Sequence, residues 1–208
     1  MFERDWLGDK SRVIDKIHPG CEWVADGEGV ATKKIDGTSC MVRGDKLFKR
    51  REYRPGEEHA PDFELADYDQ ETGKSIGWLP VGDGPEDRWH REAFQAIGLD
   101  DGSPAFRDGT YELLGPKIQG NQEGFHIHAL VPHSAEELML DGYIPRDFNG
   151  LRQWLDGKDI EGIVFHHPDG RMAKIKLKDF GLKRIKSLTA NVSSPKVEEG
   201  GSISGAWK

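Results

Sequence analysis

Four short groups of residues follow one another along the chain, and each carries side chains that could act on a phosphate or a metal ion. They are Lys34-Ile-Asp36-Gly37, Thr110-Tyr-Glu112-Leu-Leu-Gly115, Glu161-Gly-Ile-Val-Phe165 and Lys174-Ile-Lys176. The first has the form KxDG, in which a strand delivers a lysine to the mouth of a turn built on Asp and Gly. Such a match is expected by chance only ~0.1 times in a chain of this length, and three companions in this order make chance a poor explanation.

This ordered set resembles the nucleotidyltransferase motifs that polynucleotide ligases and RNA capping enzymes share. More closely, the chain is similar to the stand-alone ATP-dependent 5′-to-3′ RNA ligases of the covalent nucleotidyltransferase superfamily, which include a vertebrate family. The segments that carry this closer resemblance are Cys21-Glu-Trp-Val24, Ala31 to Thr38, Tyr111 to Gly115, Leu130-Val-Pro-His133 and Glu161 to Phe165. The resemblance spans roughly residues 20 to 185.

The resemblance implies that Lys34 attacks the α-phosphorus of ATP, releases pyrophosphate and becomes a lysyl-AMP phosphoramidate. The reference pKa of lysine is about 10.4, so the attacking amine must first be made unprotonated. Positive charge from Lys174 and Lys176, which share one strand face, and from bound Mg²⁺ (or Mn²⁺) would favour the neutral amine and hold the α-phosphate. AMP would then pass to an RNA 5′-phosphate, and a 3′-OH end would displace it.

The same resemblance assigns roles to acidic residues of the motifs. Glu161 matches the residue that engages the metal, and Glu112 matches the glutamate that contacts the ribose hydroxyl. A carboxylate can accept a hydrogen bond from a 2′-OH directly, so the second role is chemically sound. Asp36 and Gly37 complete the expected nucleotide-binding turn.

Three positions leave alternatives open or depart from the pattern of the family. Arg50 is the expected nucleotide or phosphate contact on the strand after the first turn, and Arg51 competes for that role because adjacent strand residues face opposite sides. His128 falls at about the place of the ring that stacks on adenine, where phage relatives carry Phe or Tyr. Lys33 stands where many relatives have Glu, but only Lys34 fits the KxDG spacing.

The spacing of the histidines and cysteines does not predict an additional metal site. His126 and His128 form an HxH pair and His166-His167 is a second cluster, but no cysteine or carboxylate completes a zinc ligand set at a recognisable distance. Cys21 and Cys40 are too few for a disulfide scaffold and are not arranged as CxxC. Neither zinc nor a redox couple is therefore expected.

Strands and short helices must position these groups. The strand-like segments are Gly29–Ile35, Ser39–Arg43, Lys46–Arg51, Ala105–Leu114, Phe125–Val131, Glu161–His166 and Met172–Leu177. Gly44-Asp45 and Pro168-Asp169-Gly170 are typical turn sequences between them. Helices are expected near Arg88 to Ile97, after the capping box Ser134-Ala-Glu-Glu137, and near Leu151 to Leu155. Residues 55–87 are rich in Gly, Pro, Asp and Glu and are expected to form an irregular connection.

We therefore expect an α+β chain. The resemblance implies a nucleotidyltransferase (adenylation) domain of two packed antiparallel sheets with peripheral helices, ATP-grasp-like, with the ATP pocket between the sheets. The domain should cover residues 1–190, followed by a flexible tail at 191–208 that is rich in Ser, Gly, Glu and Lys. This length leaves no room for the OB-fold that DNA ligases and capping enzymes append.

Charge is distributed unevenly along the chain. The net charge is −8, yet residues 43–54 carry six basic and two acidic side chains (+4), and residues 171–186 carry seven basic and one acidic (+6). The remainder sums to −18, so two basic segments suited to phosphates sit in an acidic chain. The charged N-terminus lacks a signal-peptide pattern and no apolar run reaches membrane-spanning length, so a cytoplasmic protein without a membrane partner is expected.

Two alternatives remain at this stage. A DNA-end or nick-sealing ligase would use the same nucleotidyl chemistry on another polymer, and a catalytically silent nucleotide or RNA sensor would keep the pocket without the reaction. An RNA ligase that uses ATP and Mg²⁺ on RNA with 5′-phosphate and 3′-OH ends is the favoured function. The oligomeric state is not indicated.

Overall fold

The computed structural model describes residues 1–95 and 106–185, which contain eleven strands and three α-helices. The strands are β1 Phe2–Arg4, β2 Val13–Ile17, β3 Val30–Lys34, β4 Thr38–Arg43, β5 Lys46–Tyr53, β6 Glu64–Asp69, β7 Lys74–Pro80, β8 Gly109–Leu114, β9 Ala129–Pro132, β10 Gly162–His166 and β11 Met172–Lys176. The helices are α1 Glu22–Ala25, α2 Arg88–Gln95 and α3 Phe148–Leu155. Short 3₁₀ segments lie at Pro85–Asp87, Gln119–Asn121, Glu136–Leu138 and Leu177–Phe180.

The strands form three antiparallel groups. A hairpin pairs β1 with β2, a small sheet has the order β11-β10-β3, and a large sheet has the order β6-β7-β5-β4-β8-β9. The predicted α+β class with antiparallel sheets is confirmed. Since β3 belongs to the small sheet and β4 to the large one, residues 35–37 carry the chain from one sheet to the other.

Each large hydrophobic cluster uses alternate residues of one sheet. On the small sheet, Ala31, Ile163 and Phe165 pack with Leu151 and Leu155 of α3. A second cluster joins the large sheet to α2, and its members include Cys40, Val42, Leu47, Leu113 and Ala93. Because side chains alternate across a strand, the opposite faces carry other residues, and on the large sheet Leu114 belongs to a small third cluster with Ile35 and Leu138.

The region between β5 and α2 differs from the sequence-based prediction. Residues 55–87 were expected to be irregular, yet β6 and β7 lie within them and extend the large sheet beyond β5. Glycine usually weakens a strand, but Gly77 allows β6 and β7 to pack closely. A Cβ there would fall 2.0 Å from the carbonyl oxygen of Glu64. The edge strand β6 is exposed and acidic, so it lacks the apolar alternation that identifies a strand in sequence.

Two other local predictions are wrong in detail. No capping box forms at Ser134, because Ala135 occupies the N-cap without a side-chain hydrogen bond and only one 3₁₀ turn follows. The strand expected from Phe125 begins at Ala129 instead, since the Asn121 side chain hydrogen-bonds both the N–H and the carbonyl of Phe125 and closes a loop.

Several predicted segments reach past the part of the chain that the structure describes. The start of the strand expected from Ala105, the end of the helix expected to Ile97 and the tail at 191–208 lie outside the described residues. Within residues 1–95 and 106–185, no helix has the length and apolar character needed to cross a bilayer.

A buried ion pair ties α2 and its preceding turn to the large sheet. Lys49 Nζ lies 2.6 and 2.7 Å from the two carboxylate oxygens of Asp87, and the N–H of Gly82 donates to the same carboxylate over 2.8 Å. The Asp87 side chain is only 2% exposed, so it depends on these donors in place of water.

Replacing Lys49 with Ala should lower the free energy of unfolding by about 3–5 kcal/mol, because it leaves a buried carboxylate without its cation. The matched control is Lys74→Ala, whose exposed partner Glu52 lies 3.3 Å away and whose loss should cost about 0–1 kcal/mol. Urea unfolding of both variants measures the difference, and equal losses would contradict the assignment of Lys49 as the essential partner of Asp87.

Candidate nucleotidyl-transfer site

The three lysines of the predicted site lie on one face of the small sheet. Lys34 ends β3, and its register partner on β10 is Gly162, which in turn pairs with Lys176 on β11. Lys174 precedes Lys176 by two residues and therefore points to the same side. A Cβ on Gly162 would fall 2.2 Å from the carbonyl oxygen of Ile175, so glycine is required where these strands meet.

Glu161 contacts two of these lysines at once. Its Oε2 lies 2.6 Å from Lys34 Nζ, its Oε1 forms an ion pair with Lys176 Nζ, and the three side chains are between 16% and 21% exposed. Burial acts to raise the pKa of Glu161, but hydrogen bonds and positive charge from Lys176 and Lys34 outweigh it and hold the pKa below its ordinary value. An ionised carboxylate thus lies between two cations.

Positive charge also reaches this face from the opposite sheet. The pKa of Lys174 is lowered, first by partial loss of hydration and then by the positive charges of Arg50, Lys176 and Lys34. Arg50 belongs to β5 of the large sheet, so this interaction spans a cleft between the two sheets. A cleft with four cations on its walls is suited to a polyanionic ligand.

The structure separates the two candidate arginines. Arg50 is partly buried, its side chain being 34% exposed, and it lies on the side of β5 that faces the lysines. Arg51 points to the opposite side, is exposed, and places its guanidinium 5.3 Å from the ring centre of Tyr53. The geometry therefore favours Arg50 over Arg51 as the contact for a phosphate in the cleft.

Two carboxylates hold successive backbone amides of the turn after Lys34. The N–H of Asp36 donates to Glu123 Oε1 over 3.1 Å, and the N–H of Gly37 donates to Glu112 Oε1 over 3.1 Å. Both acids lie well beyond this turn in the sequence, Glu112 on β8 and Glu123 in the loop that follows it. The turn is therefore fixed by tertiary contacts rather than by its own side chains.

Glu112 is buried and also contacts a histidine. Its side chain is 8% exposed, and its Oε2 lies 2.9 Å from Nε2 of His133. The other ring nitrogen of His133 lies 3.0 Å from the hydroxyl of Thr110, so the ring is oriented at both nitrogens. His133 also faces His166 of the small sheet, whose pKa is lowered by burial and by the charge of His133.

The acidic residues of the site fit a hydrated divalent cation. Burial and the negative charge of Glu161 raise the pKa of Asp36, while Lys34 and Lys176 act in the opposite direction. Mg²⁺ is commonly held by one or two carboxylates together with the phosphates of a substrate, which is the donor set available here. Across residues 1–95 and 106–185 there is no group of three or more His, Cys, Asp or Glu side chains suited to a metal held by protein alone.

Lys33 and Lys34 diverge although they are neighbours in sequence. Lys33 points to the opposite side of β3, where its Nζ lies 3.0 Å from Glu123 Oε2. Arg184 donates to the same carboxylate over 2.7 Å and pairs with Asp159 over 2.7 Å. Lys33 is therefore held in a separate ionic cluster, and only Lys34 reaches the cleft.

His128 occupies a position that does not suit stacking on a nucleotide. It precedes β9, is 5% exposed, and stacks on Trp89 with the ring centres 4.5 Å apart. Its Nδ1 lies 2.8 Å from Glu92, and its ring edge approaches Gly115 so closely that a Cβ there would fall 2.3 Å away. The ring is part of the packing between α2 and the large sheet.

Sequence reasoning missed three residues of the site. His133 lies in a segment that carries the family resemblance but has no assigned role there, although its place two residues after Val131 puts it on the side of Glu112. Glu123 and Arg184 belong to no motif. Arg184 lies in the basic segment 171–186, but the local sequence does not indicate that it pairs with Glu123. Their contacts depend on segments that are distant along the chain.

Two cavities lie away from these residues. One of about 940 Å³ is bordered by Phe48, Phe63 and Phe94, and a second of about 510 Å³ by Tyr143 and Arg146. Neither brings together any of the predicted site residues. The site is identified by its converging charges rather than by the size of a cavity.

Comparison with known proteins finds similarity to RNA ligase 1 proteins. Residues 103–199 match the sequence model of a family described as RNA ligase 1. RNA ligase 1 of Danio rerio is 24% identical over 222 residues, which covers 74% of this chain and 67% of the relative. RNA ligase 1 of Rattus norvegicus is 25% identical over 228 residues with the same coverage, and that of Pongo abelii is 35% identical over 82 residues, 35% of this chain and 24% of the relative.

Replacing Glu161 with Gln should flatten the acid limb of the stability curve. The pKa of Glu161 lies below its ordinary value of 4.5 in the folded protein, so its contribution is present above about pH 4.5 and is lost as the pH falls through the folded value. Without this group the slope should fall by up to about 1.4 kcal/mol per pH unit, the value for one proton. Urea unfolding between pH 3 and 7 measures it, and an unchanged slope below pH 4.5 would contradict the ion-paired state.

Proposed function

We propose that this relative of the RNA ligase 1 proteins is an ATP-dependent RNA ligase that works through a lysyl-AMP intermediate on Lys34. The observation that carries the proposal is the convergence of Lys34, Glu161 and Lys176 within one ionic cluster. Residues from three separate motifs meet there, on the strand face that opposes Glu112 and Arg50. Similarity to RNA ligase 1 supports the choice of RNA as the polymer.

The first step would be attack of the Lys34 amine on the α-phosphorus of ATP. A nitrogen–phosphorus bond forms, the bond to the pyrophosphate oxygen breaks with release of pyrophosphate, and the proton lost by the amine passes to solvent. Lys174 and Lys176 would hold the α-phosphate and neutralise its charge, which is the main contribution of a protein to phosphoryl-type transfer. Mg²⁺ (or Mn²⁺), when bound with the nucleotide, would add positive charge, with Glu161 as its carboxylate ligand.

Besides this expected role as a metal ligand, Glu161 contacts the Lys34 amine directly. Without nucleotide it holds Lys34 and Lys176 as an ion pair, a state in which the amine is protonated and not nucleophilic. Glu161 would also be the carboxylate that holds the cation accompanying the phosphates. That cation, together with Lys174 and Lys176, would place positive charge beside Lys34 and so favour its neutral, nucleophilic form.

The large sheet would contact the remaining parts of the nucleotide and the RNA. Glu112 is expected at the ribose hydroxyl, where it would exchange one of its present hydrogen bonds for the ligand. Arg50 is expected at a phosphate of the nucleotide or of the RNA 5′ end. For the base, His133 is the better-placed ring, because it lies beside Glu112 in the cleft whereas His128 is buried against Trp89.

Incubation with ATP labelled at the α-phosphate, together with Mg²⁺, should place covalent label on the protein after denaturation. Lys34→Ala should lose the label entirely, since no other lysine reaches Glu161 from the KxDG turn. Lys33→Ala is the matched control and should retain label, because Lys33 points away from the cleft. Peptide mass spectrometry would locate the adduct.

Absence of label on the wild-type protein, or equal label on Lys34→Ala, would overturn the mechanism. Saturable ATP binding without covalent label would instead favour the nucleotide sensor. Substituting GTP or NAD in the same assay identifies the cofactor, and omission of the divalent cation tests its requirement.

RNA should be preferred over DNA at the junction. Sealing of a nicked duplex by the adenylylated protein should be about fivefold faster or more when both ends are RNA, because RNA presents A-form shape and a 2′-OH that can add a hydrogen bond worth about 1 kcal/mol. The control is the same sequence as DNA, measured on denaturing gels. Equal or faster sealing of DNA would favour the nick-sealing DNA ligase.

A further inference from the structure

Glu123 is a buried carboxylate that lies outside every motif. Its side chain is 5% exposed, and each of its carboxylate oxygens accepts two hydrogen bonds. Oε1 accepts from the N–H of Asp36 over 3.1 Å and from Arg184 over 2.7 Å. Oε2 accepts from Lys33 over 3.0 Å and from Arg184 over 3.3 Å. A carboxylate so placed connects the nucleophile's turn to a distant part of the chain.

The charges around Glu123 are balanced. Lys33 and Arg184 contribute two positive charges, while Glu123 and Asp159 contribute two negative ones, with Arg184 Nε 2.7 Å from Asp159. Buried charges persist only where such partners replace water. Removal of the central carboxylate would leave Lys33 and Arg184 without the group that they share.

We infer that Glu123 is a positioning residue for the Lys34 nucleophile, acting through the backbone of Asp36 while it pairs with the Lys33 ammonium on the opposite side of β3. It has no contact with the Lys34 side chain itself. The backbone amide that Glu123 holds belongs to Asp36, two residues after Lys34. The amide that Glu112 holds belongs to the next residue, Gly37. With both amides fixed, Lys34 Nζ is presented to the small-sheet face in one position, which matters because a misplacement of about 1 Å can cost a hundredfold in rate.

The structural part of this inference can be tested without any ligase activity. Hydrogen–deuterium exchange of peptides covering residues 33–38 should be about tenfold faster or more in Glu123→Ala, since a hydrogen bond to a charged acceptor is lost. Glu123→Gln keeps an acceptor for the Asp36 amide and should stay within about threefold of wild type. In the same samples, acetic anhydride should modify Lys33 several-fold faster in Glu123→Ala than in wild type.

The kinetic part rests on the proposed lysyl-AMP chemistry. Glu123→Ala should lower the rate constant of adenylylation about 10- to 100-fold while KM for ATP changes less than about threefold, because the nucleotide contacts remain. Glu123→Gln should restore most of that rate. Asp87→Asn is the matched control, a buried carboxylate that also accepts from a lysine and a backbone N–H but lies on the other face of the large sheet.

Four results separate the possibilities. Unchanged exchange at residues 33–38 in Glu123→Ala overturns the inference, as does faster exchange with an unchanged adenylylation rate. An equal loss of rate in Asp87→Asn also overturns it, since general destabilisation would then suffice. If wild type takes no label, the proposed function fails while the exchange and acetylation data still decide whether Glu123 holds the turn.

If Glu123→Ala does not fold, Arg184→Gln provides the second variant. It leaves the carboxylate in place but removes two of its four hydrogen bonds, so exchange at residues 33–38 and the adenylylation rate should shift in the same directions by smaller factors. Wild-type values for both quantities in Arg184→Gln would overturn the inference.

Discussion

The chain must pass from the small sheet to the large one within the three residues between Lys34 and Thr38, and the rest of the site depends on how that crossing is held. Buried backbone amides need hydrogen-bond partners, and the crossing residues have left the ladder of β3 without yet joining that of β4. Glu112 and Glu123 supply those partners. The two sheets are thereby brought face to face with Lys34 at their junction.

Each of these carboxylates needs partners of its own, and this need recruits residues that no motif contains. Glu112 is joined by His133, and Glu123 by Lys33 and Arg184. The same principle holds within the cleft, where Glu161 is shared by two lysines. The site is thus a set of connected ionic clusters in which a carboxylate lies between donors, and Lys174 adds its positive charge beside them.

The residues of the candidate site were largely recoverable from sequence, because their spacing within each motif follows strand geometry. Lys174 and Lys176 share a face since they are two apart, and the β4–β5 hairpin was predicted from its turn dipeptide. Residues whose role depends on packing were not recoverable. His128 and His133 are equally plausible rings in sequence, yet one is buried against Trp89 and the other lies in the cleft. The strands β6 and β7 were missed because an exposed acidic edge strand and a strand containing glycine lack the alternating apolar pattern.

By itself, the sequence determined the α+β class, the order of the motifs, the set of lysines and carboxylates, and the preference for Lys34 over Lys33 by the KxDG spacing. Local information suffices for these, since turn residues and strand alternation act over a few positions. Only the tertiary structure decided that Lys33 is sequestered by Glu123, that Arg50 and not Arg51 faces the lysines, and that Glu123 and Arg184 belong to the site. Those outcomes depend on burial and on charges brought together from distant segments, which local sequence cannot encode.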